Sequence, residues 1–249
     1  MKKLEFTGHS GETLAARLDE PDSAPKGYVL FAHCFTCTKD VMGAANLAKG
    51  LTQAGLAVFR FDFTGLGASE GDFANTNFTS NVDDLINAYN FLKENYEAPN
   101  IMIGHSLGGT ATLVAASRLP EIKAVATIGS PADTAHVAHN FDGSIEEIME
   151  KGEAKVCLVG RPFTIKKHFL DDIKAQNMEN VITNLKHPLL VMHAPTDQTV
   201  GIENAGRIYD LAKHPKSFIS LDNADHLLSK KEDALYTAGV ISAWAQRYI

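Results

Sequence analysis

The stretch Asn100-Ile101-Met102-Ile103-Gly104-His105-Ser106-Leu107-Gly108-Gly109 limits what this chain can fold into more than any other. Its apolar start reads as a buried strand, and Gly109 to Ala116 reads as a buried helix of small residues. Between them stands Gly104-x-Ser106-x-Gly108, and a strand turning sharply into a helix through this motif is a nucleophile elbow. The turn strains the serine backbone and leaves no room for side chains beside it, so glycine is needed on both flanks. Ser106 then projects above the sheet edge at the positive end of a helix. The chain carries its own control. Gly8-His9-Ser10-Gly11-Glu12 copies the first letters but has Glu12 where the second glycine belongs, and it sits between two short alternating segments. Ser10 reads as part of a hairpin turn and Ser106 as the nucleophile.

Around the elbow, strands alternate with helices. Residues 1–20 read as a β-hairpin turning at Gly8 to Gly11, and Gly27 to His33 as a continuous apolar strand. A helix from Asp40 to about Gln53, a strand from Leu56 to Phe61 and an amphipathic helix from Asn77 to Asn95 precede the elbow. After it come strands at Lys123 to Gly129, Leu189 to Ala194 and Ser217 to Leu221. Helices at Gly201 to Ala212 and Lys231 to Tyr248 complete the pattern, with Trp244 packing the last. This alternation predicts a doubly wound, mostly parallel α/β sheet within a single domain spanning residues 1–249. It breaks at about residues 131–187, far more than the dozen or so residues a crossover needs. Helix-like segments at Ser144 to Lys151 and Lys166 to Leu185 flank an alternating stretch, Ala154 to Ile165, and together they predict a small cap insertion.

A serine hydroxyl needs a base, an acid to orient the base, and donors for the oxyanion. Partners of such an elbow follow in the order serine, acid, histidine. His226 is the one histidine after the last strand, in Asp222-Asn223-Ala224-Asp225-His226-Leu227, and is the candidate base. Asp222 and Asp225 stand too close to it in sequence and read as loop formers. For the acid there are two candidates. Asp197 follows the strand Leu189 to Ala194, and Asp133 follows Lys123 to Gly129 through Ser130-Pro131-Ala132. Asp133 also suits the start of a helix, where a carboxylate caps free N–H groups, so Asp197 is preferred. The oxyanion donors expected are the backbone N–H groups of Leu107 and Phe35. Phe163, Phe169, Leu170 and Met178 in the insertion are candidates for lining a substrate pocket.

No metal or cofactor is expected. Cys34-x-x-Cys37 lacks the second pair a zinc site needs, and Gly65-x-Gly67-x-x-x-Gly71 has one residue too many for a dinucleotide loop. There Asp62 and Ser69 read as turn formers. A formal charge of -7 excludes nucleic acid and anionic membranes as natural partners. No apolar run has the length of a membrane span and the start is not a signal peptide. Three cysteines cannot all pair within the chain, which points to a reducing cytoplasm. The sequence is silent on oligomeric state.

Phe31 to Asp40, Arg60 to Gly71, Gly104 to Gly109, His193 to Asp197 and Ala224 to His226 together resemble the serine α/β-hydrolases. More narrowly, they resemble the branch often found ahead of an OsmC-type peroxidase domain. The resemblance covers essentially the whole chain. It implies a carboxylic-ester hydrolase with Ser106, Asp197 and His226 as its triad, Phe35 and Leu107 as oxyanion donors, and a small-molecule ester as substrate. Many relatives have glycine where Cys34 stands. Thioesterase and aminopeptidase activity fit the same triad, and a non-catalytic binding or redox adaptor using Cys34 and Cys37 is the reading from another class.

Overall fold

A computed structural model describes residues 1–141, 143–158 and 160–249. It opens with β1 (Lys2–Thr7), β2 (Thr13–Asp19), β3 (Tyr28–Ala32), α1 (Met42–Gln53), β4 (Ala57–Phe61) and α2 (Phe78–Asn95). The centre holds β5 (Ile101–His105), α3 (Leu107–Ser117), β6 (Ala124–Ile128), α4 (Ile145–Lys151), β7 (Glu153–Leu158), β8 (Arg161–Lys166), α5 (Lys167–Ala175) and α6 (Met178–Asn184). The chain finishes with β9 (Leu189–His193), α7 (Glu203–Leu211), β10 (Lys216–Ser220) and α8 (Lys231–Ala245).

Eight strands form one sheet in the order β1-β2-β4-β3-β5-β6-β9-β10. The β1–β2 and β2–β4 pairs are antiparallel and every later pair is parallel. Strands β3, β4, β5, β6 and β9 are buried at every residue. That is why they read as unbroken apolar runs: both faces are covered by helices. Alternate residues feed two cores. Val29, Phe31, Ile101 and Ile103 meet Leu47 and Leu51 of α1 and Ala238 and Ile241 of α8 on one face. Leu30, Met102 and Val125 meet Phe78, Val82 and Leu85 of α2 and Leu113 of α3 on the other. The doubly wound, mostly parallel sheet expected from the alternation is therefore present.

Most ends shift by one to three residues, and two differences have a visible cause. The first helix starts at Met42 rather than Asp40, because Asp40 is held by ion pairs with Arg17 (2.8 Å) and Arg60 (3.0 Å) and caps nothing. The helix expected from Lys166 to Leu185 is two helices. Gln176 is extended (φ -71°, ψ 135°), and the Asn177 side chain accepts the Asn180 N–H to start the second. The alternating stretch before them is the antiparallel hairpin β7–β8, a sheet of its own.

Candidate active site

The elbow puts Ser106 at φ 56°, ψ -131°, between the end of β5 and the first turn of α3. A positive φ on a non-glycine residue is strained, and here packing enforces it. A Cβ on Gly104 would strike Gly108 and Gly109, and one on Gly108 would strike the carbonyls of Ala32 and His33. Gly109 backs onto Ser130 with no space for a methyl group.

Three candidate residues meet there from three loops. His226, in the loop between β10 and α8, has Nε2 3.0 Å from Ser106 Oγ. Its Nδ1–H donates to Asp197 Oδ2 at 2.7 Å. Asp197, in the loop after β9, accepts the Thr199 and Val200 N–H groups on Oδ1 at 2.8 and 3.0 Å. Burial pushes the Asp197 carboxyl up, but the hydrogen bonds from His226, Val200 and Thr199 outweigh it and hold the group below its usual value. Asp133 stands elsewhere. Its Oδ1 accepts the Ala135 N–H at 2.9 Å at the head of a 3₁₀ turn, Thr134–Phe141, so it is the cap foreseen for it. Ser10 is exposed in the hairpin turn. Asp222 accepts from Ser220 Oγ and Asp225 from the Ser229 N–H, both within their own loop.

Phe35 and Leu107 border the space beside Ser106. Among the described residues, neither backbone N–H donates to a protein acceptor. Two unengaged donors next to a hydroxyl are what an oxyanion needs. The loop carrying Phe35 is fixed from several sides. His33 Nδ1–H donates to the Cys34 carbonyl at 2.8 Å, and its Nε2 faces the Phe63 N–H at 3.5 Å. Asp62 accepts the Lys39 N–H and ammonium at 2.6 and 2.5 Å and the Ala68 N–H at 2.9 Å. The glycine-rich run Gly65 to Gly71 is thus a turn wrapped around Asp62, with Gly65, Gly67 and Gly71 all at positive φ. From the β7–β8 hairpin, the Arg161 guanidinium donates to the Thr36 carbonyl.

The same loop departs from one expectation. Cys34 and Cys37 form a disulfide, their Cα atoms 5.3 Å apart across Phe35 and Thr36, and Cys157 is a free thiol. A three-residue spacing suits a local bridge as well as a thiol pair, so cysteine count does not argue for a reducing compartment. Among the described residues no helix is long and apolar enough to cross a membrane, and no cluster of metal-ligating side chains occurs.

The four insertion residues need correction. Two cavities of about 310 and 320 Å³ flank Ser106, and none of Phe163, Phe169, Leu170 and Met178 lines either. Leu170 and Met178 are buried in the core, and Phe163 packs on Phe73. Phe169 stands behind Phe35, ring centroids 5.6 Å apart. From β8, α5 and α6, these side chains seat the insertion on the body. The cavity walls come instead from Pro131, His136, Val137 and Asn140, and from Cys157, Leu158 and Leu227.

Two buried histidines stand behind His226 and Asp197, neither of them among the candidates for the site. His105 Nε2–H donates to the His226 carbonyl at 2.6 Å, and the two rings lie 5.0 Å apart. His193 Nε2–H donates to the Val200 carbonyl at 2.7 Å, beside the Asp197 carboxylate. Their positions beside the elbow serine and four residues before the acid were the available signal.

Residues 23–155, more than half of the chain, match the family described as serine aminopeptidase, S33. Among solved structures, the esterase domain from a Rhodothermus marinus protein is 50% identical, with a TM-score of 0.81, covering 99% of this chain and 98% of that one. Lysophosphatidylserine lipase ABHD12 of Danio rerio is 29% identical over 196 residues, 76% of this chain and 48% of that protein. Mitochondrial palmitoyl-protein thioesterase ABHD10 of Rattus norvegicus is 27% identical over 199 residues, 76% of this chain and 65% of that protein. The chain therefore spans about half of the first relative and just under two thirds of the second.

Proposed function

This chain belongs to the serine aminopeptidase S33 family of α/β-hydrolases, and from that premise we propose that it hydrolyses carboxylic esters of small or medium acyl groups. The observation that carries the reading is the hydrogen-bonded line Asp197–His226–Ser106, at 2.7 and 3.0 Å. His226 Nε2 takes the Ser106 proton as Oγ attacks the ester carbonyl carbon. The Phe35 and Leu107 N–H groups hold the resulting oxyanion. The tetrahedral intermediate collapses as Nε2 returns the proton to the leaving alkoxide, and the ester's C–O bond breaks. Water, deprotonated by the same nitrogen, then attacks the acyl-serine and restores Ser106. Asp197 keeps Nδ1 protonated and the ring aimed. Residues 131–187 act as a cap over one end of the substrate within a single-domain enzyme. A cytoplasmic setting remains part of the proposal.

A second reading is thioester hydrolysis, favoured by the likeness to a relative named as a palmitoyl-protein thioesterase. The silent-adaptor reading is the weaker one, because it gives no reason for three loops to converge on one hydroxyl at hydrogen-bond distance.

The test is a panel of aryl and alkyl esters, thioesters and aminoacyl amides, with Ser106→Ala as the blank. Ester turnover should fall roughly 10⁶-fold in Ser106→Ala and change little in Ser10→Ala. A serine-directed phosphonate should label Ser106. Turnover retained without Ser106 refutes the mechanism, and thioesters outrunning matched esters moves the function to the second reading.

A further inference from the structure

Two cavities lie beside Ser106, and His226 tells them apart. A base that returns its proton to the leaving group must face that group. His226 lines the cavity of about 320 Å³, together with the Cys34–Cys37 disulfide, Cys157, Leu158 and Leu227. It does not line the cavity of about 310 Å³, which Leu107 borders; Phe35, Asn140 and Thr199 stand between the two and border both. The leaving group therefore departs through the first, mainly apolar cavity, and the acyl group occupies the second.

The acyl cavity has a definite hydrogen-bonding character. His136 donates Nε2–H to the Thr199 carbonyl at 3.1 Å, and in that tautomer Nδ1 is an acceptor. Asn140 donates from Nδ2 to the Val137 carbonyl at 3.0 Å, and Gln198 from Nε2 to the Thr196 carbonyl at 3.1 Å. Those bonds orient both amides, and no described residue engages Asn140 Oδ1 or Gln198 Oε1. These three residues, of which Asn140 borders the leaving-group cavity as well, line one cavity whose remaining walls include Pro131, Val137, His139 and Val200. None of the residues lining it is a lysine, arginine, aspartate or glutamate. A carboxylate would meet no counter-charge there. Nor would the free ammonium of an aminoacyl substrate, whose acyl part carries that charge beside the scissile carbonyl.

We propose that this cavity selects uncharged, hydroxyl-bearing acyl groups of medium size, each hydroxyl donating its one O–H to one of three acceptors, Nδ1 of His136 or the amide oxygen of Asn140 or Gln198. The proposal rests on the ester-hydrolase reading above and narrows it. Aminoacyl amides fall outside the substrate range although the family's description names aminopeptidase activity.

The experiment compares two isosteric substrates, the 4-nitrophenyl esters of (4-hydroxyphenyl)acetic and (4-methylphenyl)acetic acid, with leucine 4-nitroanilide as the charged aminoacyl probe. The wild-type kcat/KM should favour the hydroxyl ester by roughly five- to tenfold, the worth of one net hydrogen bond. The nitroanilide should not be turned over. Among His136→Phe, Asn140→Leu and Gln198→Met, measured separately, the variant that removes the hydroxyl's acceptor should move the ratio between the two esters towards one. Because the readout is a ratio within each preparation, partial loss of folded enzyme scales both rates alike and leaves it unchanged. Both esters hydrolysed with no hydroxyl preference, or a preference that survives all three substitutions, overturns the proposal and leaves the hydrolase reading intact. Efficient nitroanilide cleavage also overturns it. No turnover of any ester brings down the hydrolase reading and the proposal with it.

Discussion

Replacing His105 by glutamine separates two jobs that one imidazole performs. The first is mechanical: its Nε2–H holds the His226 carbonyl at 2.6 Å, the one hydrogen bond to the His226 backbone among the described residues. The second is electrostatic and shows in stability. Burial first, and then the neighbouring His226, depress the His105 pKa to about 3. In the unfolded chain the group titrates near 6.5. Between these two values the unfolded state binds a proton that the folded state refuses, so stability falls as pH falls. The stability is complete above about pH 6.5 and is lost progressively towards pH 3. The slope is about 1.4 kcal/mol per pH unit, so dropping from pH 6.5 to 5 removes on the order of 2 kcal/mol. That is a large part of a typical total of roughly 5–15 kcal/mol. Glutamine reaches the Nε2 position with an N–H donor but does not titrate. Urea unfolding at pH 7.5 and 5.0 should therefore show the acid loss reduced by roughly 2 kcal/mol in His105→Gln. Its kcat at pH 7.5 should stay within a few-fold of wild type. His105→Phe keeps the ring and loses the donor. It frees the base loop and should lower kcat by roughly 10- to 100-fold, the scale for an ångström of misplacement. An acid loss of equal size in wild type and His105→Gln would refute the reasoning.

Asp197→Asn should reduce kcat by about 10⁴-fold, because His226 loses its tautomer and aim, while Asp133→Asn stays within a few-fold and loses only about 1 kcal/mol of cap stability. Steady-state kinetics paired with thermal melts distinguishes the two, and the reverse pattern would move the acid to Asp133. Reducing the Cys34–Cys37 disulfide loosens the turn that carries the Phe35 N–H, so kcat should drop about tenfold, less than losing an oxyanion donor outright. KM should change little. The Cys34→Ala/Cys37→Ala enzyme should behave like the reduced one and ignore reductant. Gly104→Ala drives a methyl group into Gly108 and Gly109, so it should yield markedly less folded protein, by circular dichroism, than Gly143→Ala, where the space is open.

The parts of this molecule that were legible in its sequence are those where one physical effect dominates. Strands buried on both faces have no polar alternative, so Tyr28–Ala32 and Leu189–His193 stand out as apolar runs. The elbow is legible because a strained serine between close-packed backbones tolerates only glycine beside it. Asp197 is preferred over Asp133 in the sequence because Asp133 suits a helix start, and in the structure Asp133 accepts the Ala135 N–H. What escaped notice depends on contacts distant in sequence. The helical spacing of Leu170 and Met178 is equally suited to a pocket wall and a packed core, and only the body beneath decides between them. Asp84 gave no signal, yet its carboxylate joins the His9 ring and backbone to Thr64 across three segments. The cap helices divide at Asn177 because a side chain there captures a backbone N–H, a competition that propensity along the chain does not resolve.

His33, His105 and His193 solve one problem in one way. Each stands at the carboxyl end of a parallel strand, at β3, β5 and β9, and each donates a ring N–H to a loop carbonyl: Cys34, His226 and Val200. Those loops bring the Phe35 amide, His226 and Asp197 to Ser106. Burial lowers the pKa of all three, so they work as rigid neutral donors. Neutrality matters most at His193, whose Nε2 lies 3.7 Å from the Asp197 carboxylate. A charged imidazole there would compete with His226 for that carboxylate and weaken the hydrogen bond that aims the base. A lysine would bring the same charge, and an amide in its place would be a less rigid support. The expense is visible too. His193 Nδ1 is buried with no hydrogen-bond partner among the described residues, and all three rings resist protons that the unfolded chain accepts. Acid sensitivity and alignment of the triad are thus two consequences of the same three buried rings.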